Sequence, residues 1–154
     1  MMNLAEKETM TTLSNELQEY LKEEPLVILT TMDKETKEPN IAAISWVKPV
    51  NEKAIRFAVT NNSRIVNNIQ TNEKVVFTVI GLENVFAIYG TAKILEETME
   101  NVSLKLAKIE VEIDEIFESM FWGAKIEQNP TYVKTYNPDA AKKLDHEVYT
   151  ALLK

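Results

Sequence analysis

The sequence has no cysteine, one histidine (His146) and three glycines among its 154 residues. Without cysteine the chain can form no disulfide, thiolate nucleophile, iron–sulfur cluster or cysteine-ligated zinc site. A Ser-His-Asp triad or a histidine-based metal site would depend on His146 alone, and three glycines are too few for a glycine-rich nucleotide-binding loop. These absences disfavour metalloenzymes, triad hydrolases and nucleotidases, and we predict no metal site.

Positive charge is also scarce, because 17 Lys and Arg face 24 Asp and Glu, which gives a formal net charge of −7. Nucleic acids and anionic membranes attract clustered Lys and Arg, so we expect neither as a partner. Acidic residues stand near the N-terminus where a signal peptide would be basic, and no apolar run approaches the ~20 residues of a membrane span. We therefore expect a cytoplasmic protein. The hydrophobic content of 45% and the length predict one folded domain over residues 1–154.

Helical periodicity occurs near both ends of the chain. Leu13, Leu17 and Leu21 share one face of an amphipathic helix predicted over about residues 4–22, before Pro25. A similar pattern predicts a C-terminal helix over about residues 138–153. A third, short helix is expected to begin near Ser63, because the residue types at 61–63 favour the N-cap position and the apolar residues after them share one helical face.

The remaining apolar segments have the period of β-strands. Six strands are predicted, at residues 26–31, 41–47, 54–60, 75–80, 85–95 and 108–116. The segment 41–47 is apolar on both alternating faces, which predicts cover on both sides, and Pro49 is expected to end it. Residues 81–84 have the length of a hairpin turn. Six strands with flanking helices predict a mainly β, α+β fold whose sheet forms a small barrel or a tightly curled sheet over about residues 26–119, since closure removes exposed edges.

Arginine occurs at only two positions, and one of them, Arg64, falls in the first turn of the short predicted helix. A helix N-terminus presents unpaired N–H groups and the positive end of the helix dipole, which together bind phosphate. The guanidinium of Arg64 and the hydroxyls of Thr60 and Ser63 would add donors suited to the same anion. This segment is a candidate phosphate site. On spacing alone, an ordinary cap at Ser63 beside a solvated Arg64 is the commoner interpretation.

The order of these motifs resembles a known family. The motifs that carry the resemblance are a strand ending at Thr60, the Ser63-Arg64 helix start, Asn68 one turn later and Tyr89-Gly90-Thr91-Ala92-Lys93-Ile94 in a later strand. With these motifs, the chain resembles the FMN-binding split-barrel family of pyridoxamine 5′-phosphate oxidase-like proteins. Within the family, the chain is most similar to the small general-stress-protein type. The resemblance covers residues 26–121, and its specificity lies in the order and spacing of short motifs. It implies a six-stranded antiparallel, Greek-key split barrel, a homodimer and FMN at the subunit interface.

The resemblance also implies which residues bind the cofactor. The residues that match the family's phosphate-binding positions are Thr60, Ser63, Arg64 and Asn68. The residues that match its strand beside the isoalloxazine ring are Ala43, Ile44, Ser45 and Trp46. Ile65 and Asn67 stand where the family usually has basic residues. The phosphate would therefore depend on Arg64, hydroxyls and backbone amides.

The function implied is that of an FMN-dependent oxidoreductase acting on a small molecule. No catalytic side chain is assigned, because the flavin carries the redox chemistry. The basic C-terminal segment of true pyridoxamine 5′-phosphate oxidases has no counterpart in residues 108–154, so oxidation of vitamin B6 is not expected. Ile65 and Asn67 favour the alternative of a non-catalytic dimer that has a binding or interaction role and binds FMN weakly or not at all.

Four further residues have simpler interpretations beside a functional one. Trp46 could stack on a flavin ring, although core packing is the more frequent role of tryptophan. Gly90 interrupts a strand pattern, which indicates a β-bulge or a close backbone approach. Arg56 is expected to form a surface ion pair, and His146 is expected to be solvated on the terminal helix.

Overall fold

The computed structural model describes residues 10–154. Helices and strands follow in the order α1 (Asn15–Lys22), β1 (Val27–Met32), β2 (Pro39–Ile44), β3 (Val47–Asn51), β4 (Ala54–Thr60), α2 (Arg64–Thr71), β5 (Lys74–Gly81), β6 (Asn84–Glu96), β7 (Leu106–Glu118) and α3 (Pro138–Leu152). None of the helices in this part of the chain has the length and apolar character needed to span a bilayer. The predicted class, mainly β with flanking helices, is confirmed.

Helix α1 begins later than its apolar periodicity predicts. Ser14 has an extended backbone and its side chain accepts a hydrogen bond from the amide of Leu17 at 3.1 Å, so it caps a helix that starts at Asn15. Before this cap, Met10 pairs with Ile116 in an isolated β-bridge. The prediction of helix for residues 10–14 is therefore wrong, and its part at residues 4–9 lies outside the described residues.

The strands form one antiparallel sheet in the order β2-β1-β5-β6-β7-β4-β3. This sheet has seven strands rather than the six predicted, because the segment 41–47 breaks at Ser45 and Trp46 into β2 and β3. Trp46 has a φ of 55°, a left-handed backbone that takes the chain out of the strand. Pro49 does not end a strand as predicted but lies inside β3, at a sheet edge, where proline is tolerated.

The sheet is strongly rolled. Strands β2 and β3 are its two opposite edges, yet only Ser45 and Trp46 separate them along the chain. The three Cα–Cα steps from Ile44 to Val47 span at most about 11 Å, whereas six strand spacings would hold the edges of a flat sheet roughly 29 Å apart. The end of β2 and the start of β3 therefore lie close together, and Ser45 and Trp46 form the corner between them.

The other predicted elements lie close to their expected ends. Strand β4 and the start of α2 coincide with the prediction. The turn between β5 and β6 has positive φ at Leu82 and Glu83, as a two-residue hairpin turn of type I′ requires. Gly90 lies at a register shift in β6, and a Cβ atom there would clash with the Val111 side chain and lie 2.7 Å from the Glu112 backbone carbonyl oxygen. Both features expected of Gly90, the bulge and the close approach, are confirmed.

The core has two parts. The main core fills the interior of the rolled sheet, where Phe57 and Phe77 are fully buried and meet edge to face with ring centroids 5.8 Å apart. A smaller cluster forms on the other side of β4, where Val148 and Leu152 of α3 pack on Ala58. Helix α3 is thus attached to the barrel by a separate hydrophobic contact.

A third surface of the sheet is apolar but stays open to solvent. Cross-strand register aligns two rows of uncharged side chains on the outside of β2, β1, β5, β6 and β7: Ile41, Thr30, Val76 and Tyr89 in one row, and Ala43, Ile28, Thr78, Ala87 and Phe117 in the other. We call these nine residues the outer apolar face. Ile41 is 68% exposed and Tyr89 is 43% exposed. The predicted cover on both sides of segment 41–47 is therefore wrong for the single chain.

Candidate functional site

Helix α2 begins with the cap that the sequence predicts. The Ser63 side chain accepts a hydrogen bond from the amide of Val66 at 3.3 Å, and the Ser63 amide donates to the Thr60 carbonyl at 3.0 Å. The amides of Arg64 and Ile65 have no acceptor within the helix, as is usual for a first turn. Together with the positive end of the helix dipole, they present two donors to an anion.

The Arg64 side chain is exposed but already has partners. Its Nε atom lies 3.6 Å from Asp33 Oδ1, and its Nη1 atom donates to Asn40 Oδ1 at 3.3 Å. Hydrogen bonds from the amides of Thr36 and Glu35 hold the pKa of Asp33 below its usual value, and the charge of Arg64 adds a smaller effect. Asp33 is therefore ionised at neutral pH and occupies the position beside Arg64 that an anionic ligand would need.

A cavity of about 460 Å³ lies between the β1–β2 turn and the start of α2. Its charged lining residues are the acids Asp33, Glu35 and Glu38 and the cations Lys34 and Arg64. Three negative charges against two positive charges leave this cavity acidic. Its interior is therefore unsuited to a phosphate dianion, and the anion-binding capacity lies at the first turn of α2 and at Arg64.

Asn68 lies beneath this site rather than at its surface. It is fully buried, its Nδ2 atom donates to Thr31 Oγ1 at 3.0 Å and its Oδ1 atom accepts from the Lys34 amide at 2.9 Å. These bonds tie α2 to the end of β1 and to the β1–β2 turn. Asn68 thereby fixes the start of α2 relative to Asp33 and Asn40, and its direct contact with a cofactor stays a prediction.

The remaining predicted phosphate positions differ in exposure. Thr60 is exposed at the end of β4, immediately before the loop that leads to Ser63. Ile65 packs in the main core, so the side chain at this position faces away from the site. Asn67 is exposed and borders the acidic cavity. The structure thus brings Thr60, Ser63 and Arg64 together at one end of α2.

The predicted ring-side residues form the end of β2 and the corner after it. Ala43 and Ser45 are exposed, whereas Ile44 packs on the main core. Asn40, which contacts Arg64, lies on the same strand. The exposed residues Ala43 and Ser45 are three and five residues farther along, or about 10–16 Å at the rise of an extended strand. Strand β2 therefore connects the two groups of predicted binding residues.

Trp46 is held against α3. Its indole Nε1–H donates to Asp145 Oδ1 at 2.8 Å, and its ring packs on the small hydrophobic cluster beneath the helix. Its left-handed backbone costs roughly 1–2 kcal/mol in a non-glycine residue, so surrounding contacts must hold it. The packing role considered from the sequence is observed, and stacking of Trp46 on a flavin ring stays a prediction.

Asp145 is the centre of a polar network that the sequence does not reveal. It also pairs with Lys134 in the segment before α3. Burial alone would lower the pKa of Lys134, but the hydrogen bond and charge of Asp145 outweigh burial, so the pKa of Lys134 is raised. Nearby, Lys48 lies 4.4 Å from the centre of the Tyr149 ring. Burial raises the pKa of Tyr149 well above its usual value. In sequence, Asp145 is one acid among the charged residues of an amphipathic helix, and no local signal distinguishes it.

Arg56 and His146 occupy the positions expected from the sequence. Arg56 pairs with Glu110 at 3.0 Å, and its Nη1 atom also donates to carbonyls near the end of α3. His146 is exposed on α3. Neither residue borders the start of α2 in this structure.

Comparison with known proteins identifies a related family. The model of the family described as Pyridoxamine 5'-phosphate oxidase matches residues 13–135, which is more than half of the chain. No curated protein matches the sequence.

Solved structures share the fold at low sequence identity. General stress protein 26 from Bacillus anthracis str. Sterne has a TM-score of 0.52 and 14% identity, over 66% of this chain and 92% of that chain. An FMN-binding protein from Syntrophomonas wolfei subsp. wolfei has a TM-score of 0.50 and 21% identity, over 62% of this chain and 77% of that chain. HutZ, the heme storage protein from Vibrio cholerae, has a TM-score of 0.53 and 15% identity, over 69% of this chain and 94% of that chain.

Proposed function

The chain belongs to the pyridoxamine 5′-phosphate oxidase family of split-barrel proteins, and from this membership we propose that it is a homodimeric FMN-binding oxidoreductase of a small molecule. The observation that carries the proposal is the first turn of α2, where the Ser63 cap leaves two amides free beside the exposed guanidinium of Arg64. Bound FMN would supply the redox chemistry, as a chain with no cysteine and one histidine requires.

The residues at the start of α2 fit a phosphate group. The hydroxyls of Thr60 and Ser63, which do not line the acidic cavity, and the first-turn amides offer hydrogen-bond donors next to Arg64, which does line it. Ile65 is uncharged, and its side chain packs in the main core. Arg64 therefore carries the cationic contact, and a bound phosphate would replace Asp33 as its partner.

Strand β2 supports the position proposed for the flavin ring. The distance of about 10–16 Å from Asn40 to Ala43 and Ser45 is of the order of the ribityl chain and ring system of FMN. Ala43 and Ser45 expose small side chains there, and small residues allow a planar ring to approach the backbone. The role of these residues would be to hold and orient the ring.

The outer apolar face supports the homodimer. Uncharged residues on five adjacent strands form this surface, and Glu115, the β7 partner of Tyr89, borders it. Its most exposed large apolar member, Ile41, follows the Arg64 contact residue Asn40 in β2. Contiguous apolar surfaces of this kind mark association sites. A two-fold dimer through this face would bring β2 of each subunit to the interface, next to the proposed FMN site.

Replacement of Arg64 by alanine is expected to weaken FMN binding by about 10- to 100-fold, because a charge-assisted contact to phosphate is lost. Riboflavin lacks the phosphate and should keep its affinity. The measurement is quenching of flavin fluorescence on titration with the natively purified protein. Lys34→Ala is the matched control, because it removes one positive charge from the same cavity without touching the first turn of α2. Equal losses for FMN and riboflavin would show that Arg64 is not the phosphate contact.

Replacement of Asp33 by asparagine is expected to strengthen FMN binding by about fivefold, because it removes a negative charge next to Arg64. An asparagine side chain retains an acceptor for the amides of Glu35 and Thr36, so the turn is preserved. Riboflavin affinity should not change. Flavin titrations at low and at high salt test this, since the gain should shrink as ionic strength rises. Unchanged FMN affinity at low salt would contradict a phosphate beside Arg64.

The alternative is a non-catalytic dimer that does not bind FMN tightly. The ion pair of Arg64 with Asp33 favours it, because the pair satisfies the cation without a ligand. The visible spectrum distinguishes the two functions. Absence of flavin absorbance in the purified protein, together with no fluorescence quenching on titration with FMN, would overturn the enzyme proposal. We do not extend haem storage to this chain, since its single histidine is exposed among charged residues of α3.

A further inference from the structure

We propose that Asp145 of α3 is a positioning residue for the flavin-ring end of the site, acting through Trp46. The inference rests on the proposed function and adds to it a distant control of the same site. Asp145 lies 99 positions from Trp46 in the sequence and touches none of the predicted phosphate residues.

The first step is that Trp46 determines the path of the corner. The residue has a left-handed backbone between the two edge strands, and its carbonyl accepts a hydrogen bond from the Ala58 amide at 3.1 Å. A different conformation of Trp46 would redirect Ser45 and the end of β2. The ring-side residues of the proposed site are these same positions.

The second step is that Asp145 holds the Trp46 side chain. One carboxylate oxygen accepts from the indole N–H, and the other pairs with Lys134. The Asp145 side chain is only 16% exposed, so its hydrogen bonds are protected from water. Asp145 therefore joins three parts of the molecule: the corner, the segment before α3 and α3 itself.

The third step is that this arrangement makes flavin-ring binding depend on the attachment of α3. The helix contacts the barrel through a small separate cluster, and Asp145 is the polar contact that reaches from it to the Trp46 side chain. Tyr149 of the same helix hydrogen-bonds to the Trp46 backbone instead. Loss of the Asp145 carboxylate would release the Trp46 indole while leaving the first turn of α2 intact. Its effect should therefore be equal for FMN and riboflavin, unlike the effect of removing Arg64.

Asp145→Ala is expected to weaken FMN and riboflavin by the same factor, roughly tenfold, as the loss of a charge-assisted hydrogen bond predicts. Asp145→Asn keeps an acceptor for the indole and should recover most of the binding. Glu147→Ala is the matched control, because it removes a carboxylate from the same helix that bonds to Ser103 rather than to Trp46. Both ligands are titrated by fluorescence quenching.

A second readout follows Trp46 without any flavin. In a Trp122→Phe background Trp46 is the single tryptophan, and Asp145→Ala should shift its emission to longer wavelength while Glu147→Ala should not. If the wild type binds flavin and Asp145→Ala leaves both affinities unchanged, or weakens FMN alone, this inference is overturned and the proposed function still stands. Absence of flavin binding by the wild type would overturn both.

Discussion

Replacement of Tyr89 by aspartate is expected to convert the dimer into monomers and to weaken FMN binding with it. Tyr89 lies in the outer apolar face, where it is 43% exposed and meets Phe117 edge to face at 5.4 Å. In a two-fold dimer each substitution would place an unpaired carboxylate in the interface. Burying such a charge is strongly unfavourable, so dimerisation should weaken on the order of 100-fold or more.

Sedimentation velocity over a range of protein concentrations measures this effect. Val133→Asp is the matched control, because Val133 is 84% exposed and lies outside the outer apolar face. This substitution changes the net charge by the same amount as Tyr89→Asp. The control should sediment as the wild type does. A Tyr89→Asp protein that remains dimeric would place the interface on another surface, and a monomeric wild type would contradict the homodimer itself.

Replacement of Phe57 by alanine is expected to have the largest effect on stability, about 3–5 kcal/mol. Phe57 is fully buried in the main core and packs against Phe77. The smaller side chain loses this ring contact and leaves a cavity that the surrounding strands cannot close, because both neighbours of β4 are fixed by their sheet pairing.

Urea unfolding followed by circular dichroism measures the loss of unfolding free energy. In a separate thermal unfolding experiment, the midpoint temperature should fall by roughly 6–20 °C. Phe121→Ala is the control, since Phe121 is 71% exposed. Its loss should change stability by no more than about 0.5 kcal/mol. A small effect at Phe57 would mean that the interior of the rolled sheet repacks, contrary to the dense core described above.

The elements that could be predicted from the sequence are those with a strong local signal. Strand β4 alternates over its whole length, and α2 has a cap at Ser63 followed by an apolar face, so both were located to within a residue. Helix α1 was predicted too early because its leucines repeat on both sides of Ser14. The cap at Ser14, rather than the apolar period, decides where the helix begins.

The features that escaped prediction depend on contacts between distant parts of the chain. Nothing near Trp46 in the sequence indicates a left-handed backbone, because the contacts that hold it come from distant residues, Ala58, Asp145 and Tyr149. The buried role of Asn68 likewise requires Thr31 and the β1–β2 turn. Short-range patterns cannot report such partners, so the residue types of the site were recognisable while its supporting contacts were not.

The strand order of the rolled sheet has a consequence for the folding pathway. Adjacent strands of this sheet are often distant in sequence, as in the pairing of Val27 with Val79 and of Ala54 with Glu112. Such non-local pairing slows folding, because loop entropy must be lost before the contacts form. The central strands β5, β6 and β7 each have partners on both sides, so the full sheet forms only when all seven strands are paired. Completion of the sheet is therefore a late event, and until it occurs partly paired strands are exposed to intermolecular pairing.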